Sequence, residues 1–212
     1  HNIPVFQPEK VRKETDEILK CNPDIIITCA YGQIIPSVLL DTPKYKAVNV
    51  HASLLPKLRG GSPLHRCIID GYSETGVTIM YMAPGMDDGD IITQKSIKIE
   101  DSDNVGTIHD KLSVLGRNLL LETLPSIFNC TNERIHQDES EVTFAYNIKR
   151  EEEKLDFNKT AREVFNHIRG MYPFPVAYTT LNGEIIKVCE SKIGTKTNGN
   201  IGEIISIYDN GI

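Results

Sequence analysis

Short apolar runs alternating with helix-like stretches constrain this chain more than any other feature. Residues 24–30 (Asp-Ile-Ile-Ile-Thr-Cys-Ala) form a continuous, β-branched run, as expected for a strand buried on both faces of a parallel sheet. Ala47-Val-Asn-Val-His51 reads as a second strand, and Gly76–Met82 and Ile91–Ile99 as two more. Pro8 to Lys20 reads as a helix that closes at Asn22-Pro23, while Ser62-Pro63 supplies an N-cap and a first-turn proline for a short helix ending at Gly71. A long helix is expected from Val105 to Ile127, where Ile108, Leu112, Leu115, Leu119 and Leu120 recur near the helical period. Strands alternating with helices predict an α/β fold with a largely parallel sheet.

From Asn129 the composition turns polar and charged, which predicts a linker. Beyond it the pattern changes to an amphipathic helix over 161–170 and three β-like runs, near Val176–Leu181, Ile185–Ser191 and Ile201–Tyr208. Asn182-Gly183 and Asn198-Gly199 separate these runs as hairpin turns. A helix followed by hairpins predicts a small, incomplete β-barrel. The chain opens at His1 rather than Met and stops at Asp209-Asn210-Gly211-Ile212, which reads like the middle of a hairpin, so both ends are expected to be cut.

With 23 Lys plus Arg against 29 Asp plus Glu, the net charge is -6, which argues against a general nucleic-acid binder but allows a local basic patch. The opening residues carry no secretory signal, and no apolar run approaches the ~18–20 residues that span a bilayer. Five scattered cysteines without a C-x-x-C pair read as thiols of a reducing cytosol, used as small core hydrophobes. A cytoplasmic protein without membrane association is the expectation.

Two stretches carry chemistry. Asn49 and His51 lie two apart at the end of a strand, so both side chains leave one face, in the region beyond the strand ends where open α/β sheets bind ligands. An amide donor and an imidazole proton together suit an oxyanion developing on an attacked carbonyl. The turn-rich Met82–Ile91 supplies Asp87 and Asp88, and an aspartate beside a histidine orients it and favours imidazolium. Read alone, N-x-H also fits a polar pair capping a strand, and D-D-G an ordinary solvated turn.

Together the strings N-x-H-x-S-L-L-P (Asn49, His51, Ser53, Leu54, Leu55, Pro56) and Met-Asp-x-Gly-Asp (Met86, Asp87, Gly89, Asp90) resemble the folate-dependent formyltransferase family. The resemblance runs on through Ala30–Pro36, Glu74–Met80, Asp110–Gly116, Tyr146–Glu152 and Arg169–Val176. The segments after the linker favour the branch that modifies a tRNA. This implies a Rossmann-like catalytic domain over 1–128, a linker over 129–142 and a truncated, OB-like tRNA-binding barrel over 143–212. It also implies that the opening β-α-β units and the end of the barrel are missing, so the chain alone is expected to fold poorly and turn over little.

The implied reaction passes the formyl group of 10-formyltetrahydrofolate to the amino group of methionyl-initiator tRNA. The amine attacks directly, consistent with the absence of G-x-S-x-G and of an activated cysteine. By resemblance, Asn49 and His51 stabilise the oxyanion, and Asp87 pairs with His51 and relays the proton. Asp88 falls at a variable position and reads as a turn residue. Gln33, Ile34, Ile35, Met82 and Ala83 are implied around the pterin, and Ser53, Leu54, Leu55 and Pro56 along the folate. Arg59 is a candidate for a phosphate or the folate tail, or else a solvated loop charge. Lys149, Arg150, Lys154, Arg162 and Arg169 are candidate tRNA contacts. A monomer without metal is expected. Three rivals remain open: a formyltransferase acting on an amino sugar or glycinamide ribonucleotide, a metal-dependent hydrolase built on His51, Asp87 and Asp88, and a non-catalytic folate- or tRNA-binding module. A zinc site from His51, His65 and Asp87 lacks compact ligand spacing.

Overall fold

The computed structural model describes residues 3–195, 198–208 and 211. Its contacts divide the chain into two units: 1–63, 74–98 and 109–147 form the first, and 64–73, 99–108 and 148–212 the second.

The first unit is built on a four-stranded sheet in the order β1-β2-β3-β4, formed by β1 (Ile26–Cys29), β2 (Ala47–His51), β3 (Glu74–Tyr81) and β4 (Ile91–Lys98). The α/β class holds, but the expected largely parallel sheet does not. Only β1–β2 is parallel, whereas β2–β3 and β3–β4 are antiparallel. A direct loop joins β3 to β4, and such a hairpin forces antiparallel pairing. Nor is β1 buried on both faces: Ile27 and Cys29 are exposed, and among the described residues β1 pairs only with β2. The sheet centre carries the apolar core, with Val48, Val77, Ile79 and Met80 all buried.

Of the helix expected over 8–20, only α1 (Asp16–Lys20) forms. Lys13 N–H closes a turn on the Lys10 carbonyl, and the Glu14 carboxylate captures Lys10 N–H, which ends helical continuity there. Next come α2 (Ser37–Asp41), α3 (Pro63–Ile69) and the long α4 (Val105–Phe128). Gly116 in α4 lies against Val50 and Val77, where a Cβ would sit 3.1 Å from the Val50 methyl. The segment expected as a linker instead packs into the first unit: Ile135 bridges Ile91, Gln137 is buried, and Phe144 bridges Arg59.

In the second unit, α5 (Ala161–Met171) starts at a capping box in which Thr160 and Glu163 bond each other's backbone N–H. Ile168 and Met171 then pack with Leu155 and Ala177. The hairpin β5 (Tyr178–Leu181) and β6 (Glu184–Lys187) turns at Asn182-Gly183, whose φ of 52° and 87° is the left-handed pair that this two-residue turn demands. The third run, 201–208, forms no strand among the described residues, and Asn200 and Glu203 close a turn at its start. Among the described residues the sheet of the second unit is this two-stranded hairpin, in keeping with the partial barrel that was expected.

Of the five free cysteines only Cys67 is buried, so the expectation of core thiols holds for that residue alone. Among the described residues no helix is long and apolar enough to cross a membrane.

Candidate functional site

Strand alternation places Asn49 and His51 on the same face of β2. Thr28 stands opposite Asn49 in the parallel register, and its hydroxyl donates to Asn49 Oδ1 at 2.9 Å. With Oδ1 taken up by this bond, the NH2 group is left as the amide's donor. Met82 Sδ lies 3.2 Å from the same hydroxyl, so Met82 and Asn49 flank Thr28.

His51 is only 6% exposed. A carbonyl can only accept, so Nε2 donates to Leu58 O at 3.1 Å, and Nδ1 faces Asp87 Oδ2 at 3.7 Å. The ring thus lies between a carbonyl and a carboxylate. Leu58 reaches this geometry with φ at 61° and Asp87 with φ at 50°, a region disfavoured for side-chain-bearing residues and found where function dictates backbone direction.

The loop after β2 is anchored from beneath. Thr78 donates to Ser53 O at 2.6 Å, Gln94 Nε2 donates to Leu55 O at 2.8 Å, and Ser53 Oγ donates to Lys57 O at 2.7 Å. Ser53 and Leu55 are accordingly buried, with Leu55 packed on Met80 and Ile91. Both residues thus hold the loop's shape, and within 53–56 Leu54 and Pro56 keep the more accessible surface.

Met82 N–H bonds the Ala47 carbonyl at the start of β2, yet Asp87 reaches His51 at its end. The 82–90 loop therefore runs about 13 Å along the strand, at about 3.3 Å per residue. Asn49 and His51 lie in the last three residues of β2, and the 82–90 loop brings Asp87 to them. Gly89 closes the loop where a Cβ would overlap the Tyr81 carbonyl. Asp88 Oδ1 is buried without a hydrogen-bond partner, which corrects the reading of Asp88 as a solvated turn carboxylate. Asp90 pairs with Arg134 and His136.

Arg59 is neither a free cation nor a phosphate ligand. It is 4% exposed; its Nε donates to Gln137 Oε1 at 3.0 Å and its guanidinium pairs with Glu139 at 2.8 Å. Gln137 Nε2 donates in turn to Asp87 O at 2.7 Å and Gly89 O at 2.8 Å. Sequence reasoning missed Thr28, Arg59 and Gln137 in these roles. The only local signals were a threonine inside an apolar strand run and a glutamine amid charged neighbours.

Of the expected pterin residues, Ile34 is 80% exposed, which removes core packing as its explanation. Gln33 is exposed and accepts Val11 N–H, while Ile35, Met82 and Ala83 are half-buried. Residues 30–36 follow the carboxyl end of β1, which is parallel to and in register with that of β2. Among the described residues no group of three His, Cys, Asp or Glu is placed to hold a metal ion.

The candidate tRNA contacts, all in the second unit, divide. Arg162 pairs with Asp101 at 2.7 Å, and Arg169 donates to Asn166 and to the Glu100 and Asp103 carbonyls. Arg150 pairs with Glu153 and covers the Tyr178 ring, while Lys149 and Lys154 are exposed.

Residues 5–124 match the family described as Formyl transferase, and residues 147–212 match Formyl transferase, C-terminal domain. A methionyl-tRNA formyltransferase of Staphylococcus epidermidis is 55% identical over 207 residues, covering 97% of this chain and 67% of its own. One from Bacillus velezensis is 53% identical over 215 residues, covering 100% and 68%. The chain thus spans about two thirds of the length of these curated relatives. A crystal structure from Mycobacterium tuberculosis, whose description suggests a sugar N-formyltransferase, superposes with a TM-score of 0.73 at 26% identity, over 92% of this chain and 86% of that one.

Proposed function

The chain belongs to the formyl transferase family, and on that premise we propose that it transfers the formyl group of 10-formyltetrahydrofolate to the amino group of methionyl-initiator tRNA. The observation that carries the choice of acceptor is the relatives' 55% and 53% identity, which extends over both matched regions. The formyl donor is a substrate of this family, consumed in each turnover. The proposed division is a catalytic part over 1–128, a connecting segment over 129–142 and a tRNA-binding part over 143–212, in a cytoplasmic monomer. Within the last part, the exposed Lys149 and Lys154 are the best candidates for phosphate contacts.

The chemistry follows from the β2 face. The methionyl amine attacks the formyl carbon; a C–N bond forms, and the formyl oxygen becomes an oxyanion. Asn49 presents its NH2 to that oxygen, because Thr28 holds the other end of the amide. His51 supplies the second donor when the substrate oxygen replaces the Leu58 carbonyl at Nε2. Asp87 steadies the ring from Nδ1 and takes up the proton released by the amine. Collapse breaks the bond to N10 of the folate, which leaves with the proton that Asp87 took from the amine. Exposed Gln33 and Ile34, with Ile35, Leu54, Pro56, Met82 and Ala83, offer the apolar and backbone surface that a flat pterin takes.

The test is an acceptor panel at fixed 10-formyltetrahydrofolate: charged initiator tRNA, a nucleotide-linked amino sugar and glycinamide ribonucleotide. The expected result is preferential formylation of the tRNA. Preference for either small acceptor would reassign the protein within the family.

A further inference from the structure

We infer that Gln137, braced by Arg59, is a positioning residue that holds Asp87 against His51; this rests on the formyl-transfer reading of the site. Three consecutive residues divide the work on one side. The Leu58 carbonyl accepts from His51 Nε2, Arg59 Nε donates to Gln137 Oε1, and Gly60 N–H donates to Asp87 Oδ2 at 2.8 Å. On the other side, the two amide protons of Gln137 go to the carbonyls of Asp87 and Gly89. Three hydrogen bonds, the Leu58–Arg59 peptide link and the 3.7 Å contact of His51 Nδ1 with Asp87 Oδ2 close a ring from His51 through Leu58, Arg59, Gln137 and Asp87 back to His51.

The position suits glutamine's chemistry: one acceptor faces a guanidinium, and two donors face two carbonyls of a loop whose Asp87 sits at positive φ. Gln137 is 2% exposed, so water does not compete for these bonds. The brace itself is tethered. Arg59 N–H bonds Thr143 O at 2.9 Å, Ala145 N–H bonds Arg59 O at 2.7 Å, and Glu139 neutralises the guanidinium. The segment after α4 therefore supplies part of the geometry around Asp87.

The experiments use the full chain. Gln137→Glu keeps the size and the acceptor toward Arg59 but sets an acceptor against both loop carbonyls. Expected is a fall in kcat of about 30-fold, of the order seen for a catalytic group displaced by about 1 Å, with KM for 10-formyltetrahydrofolate within about twofold. In an Asp87→Asn background the same change is expected to cost less than about twofold, because Gln137 acts through Asp87. The ring 15N resonances of His51 should shift in Gln137→Glu and match those of Asp87→Asn more closely than the parent's. Equal losses in both backgrounds, or unchanged His51 resonances in a folded variant, would overturn the inference. Should Gln137→Glu not fold, Arg59→Lys keeps the charge beside Glu139 but releases Gln137 Oε1, and the same two-background comparison decides. A parent that transfers no formyl group would sink the function proposed above, while the His51 resonances would still decide the positioning role.

Discussion

The two ends of the Asn49 amide are nearly equal in size and differ in what they can do, so the Thr28 hydroxyl carries information that Asn49 alone lacks. Without it the amide is free to present its oxygen, which repels an oxyanion. Thr28→Val preserves shape and removes the hydroxyl. Losing one hydrogen bond of about 1 kcal/mol predicts about a fivefold drop in kcat. Steady-state formyl transfer with donor and acceptor saturating checks this, and an unchanged kcat would show that Asn49 orients itself. Asn49, His51 and Asp87 stand out in the sequence because the proposed chemistry calls for their types and a strand fixes the two-residue spacing; the structure adds that Asp87 comes to 3.7 Å from His51. Ser53 and Leu55 sit in the same motif string, and their burial reveals that this string also anchors the loop. Arg59 and Gln137 were unreadable because their partners lie in distant parts of the chain, brought together by the 82–90 loop and the segment after α4.

At the scale of elements, α3, α4, α5 and the β2, β3 and β4 strands follow their periodicities closely, and Asn182-Gly183 marks its hairpin. What periodicity could not supply was strand direction or the absence of a partner for 201–208, since both depend on pairing. The second unit adds a pH-dependent consequence through α3 and α5. His65 in α3 and His167 in α5 both titrate below the ordinary 6.5, chiefly because burial disfavours the charged ring. The Gly170 carbonyl opposes the shift at His65 and Arg66 adds to it. At His167 Lys159 and Arg66 add to it while Glu152 opposes. Values depressed on folding mean that the unfolded chain takes up protons first. Stability is therefore full above about pH 6.5 and is lost as pH falls through the folded values. Asp70, raised above 3.8 mainly by burial, works in the opposite direction: its contribution is full below 3.8 and fades as pH rises through its folded value. Thermal melts from about pH 7.5 to about pH 5.5 should show a falling Tm, and His65→Gln with His167→Gln should flatten the dependence. A flat parent profile would contradict the assignment.

For the whole molecule, a net charge of -6 coexists with a polyanionic partner, because tRNA recognition needs basic residues only where phosphates lie. The segment read as a linker shows how far function can depend on sequence outside a motif: its Gln137 and Glu139 serve the β2 face. The family and the formyl-transfer chemistry were legible because the chemistry demands contiguous strings. The brace was not, because it is assembled from three separate loops. The central claim is that Asn49, His51 and Asp87 form one catalytic group on the β2 face. Its most direct test is single-turnover formyl transfer to methionyl-initiator tRNA by Asn49→Ala, His51→Ala and Asp87→Ala, with tetrahydrofolate binding titrated in parallel. Each substitution should lower the rate by about 100-fold or more, as removal of an oxyanion donor or general base does, while folate Kd stays within a few-fold. Parent-like rates in any of the three, with folate binding intact, would contradict it.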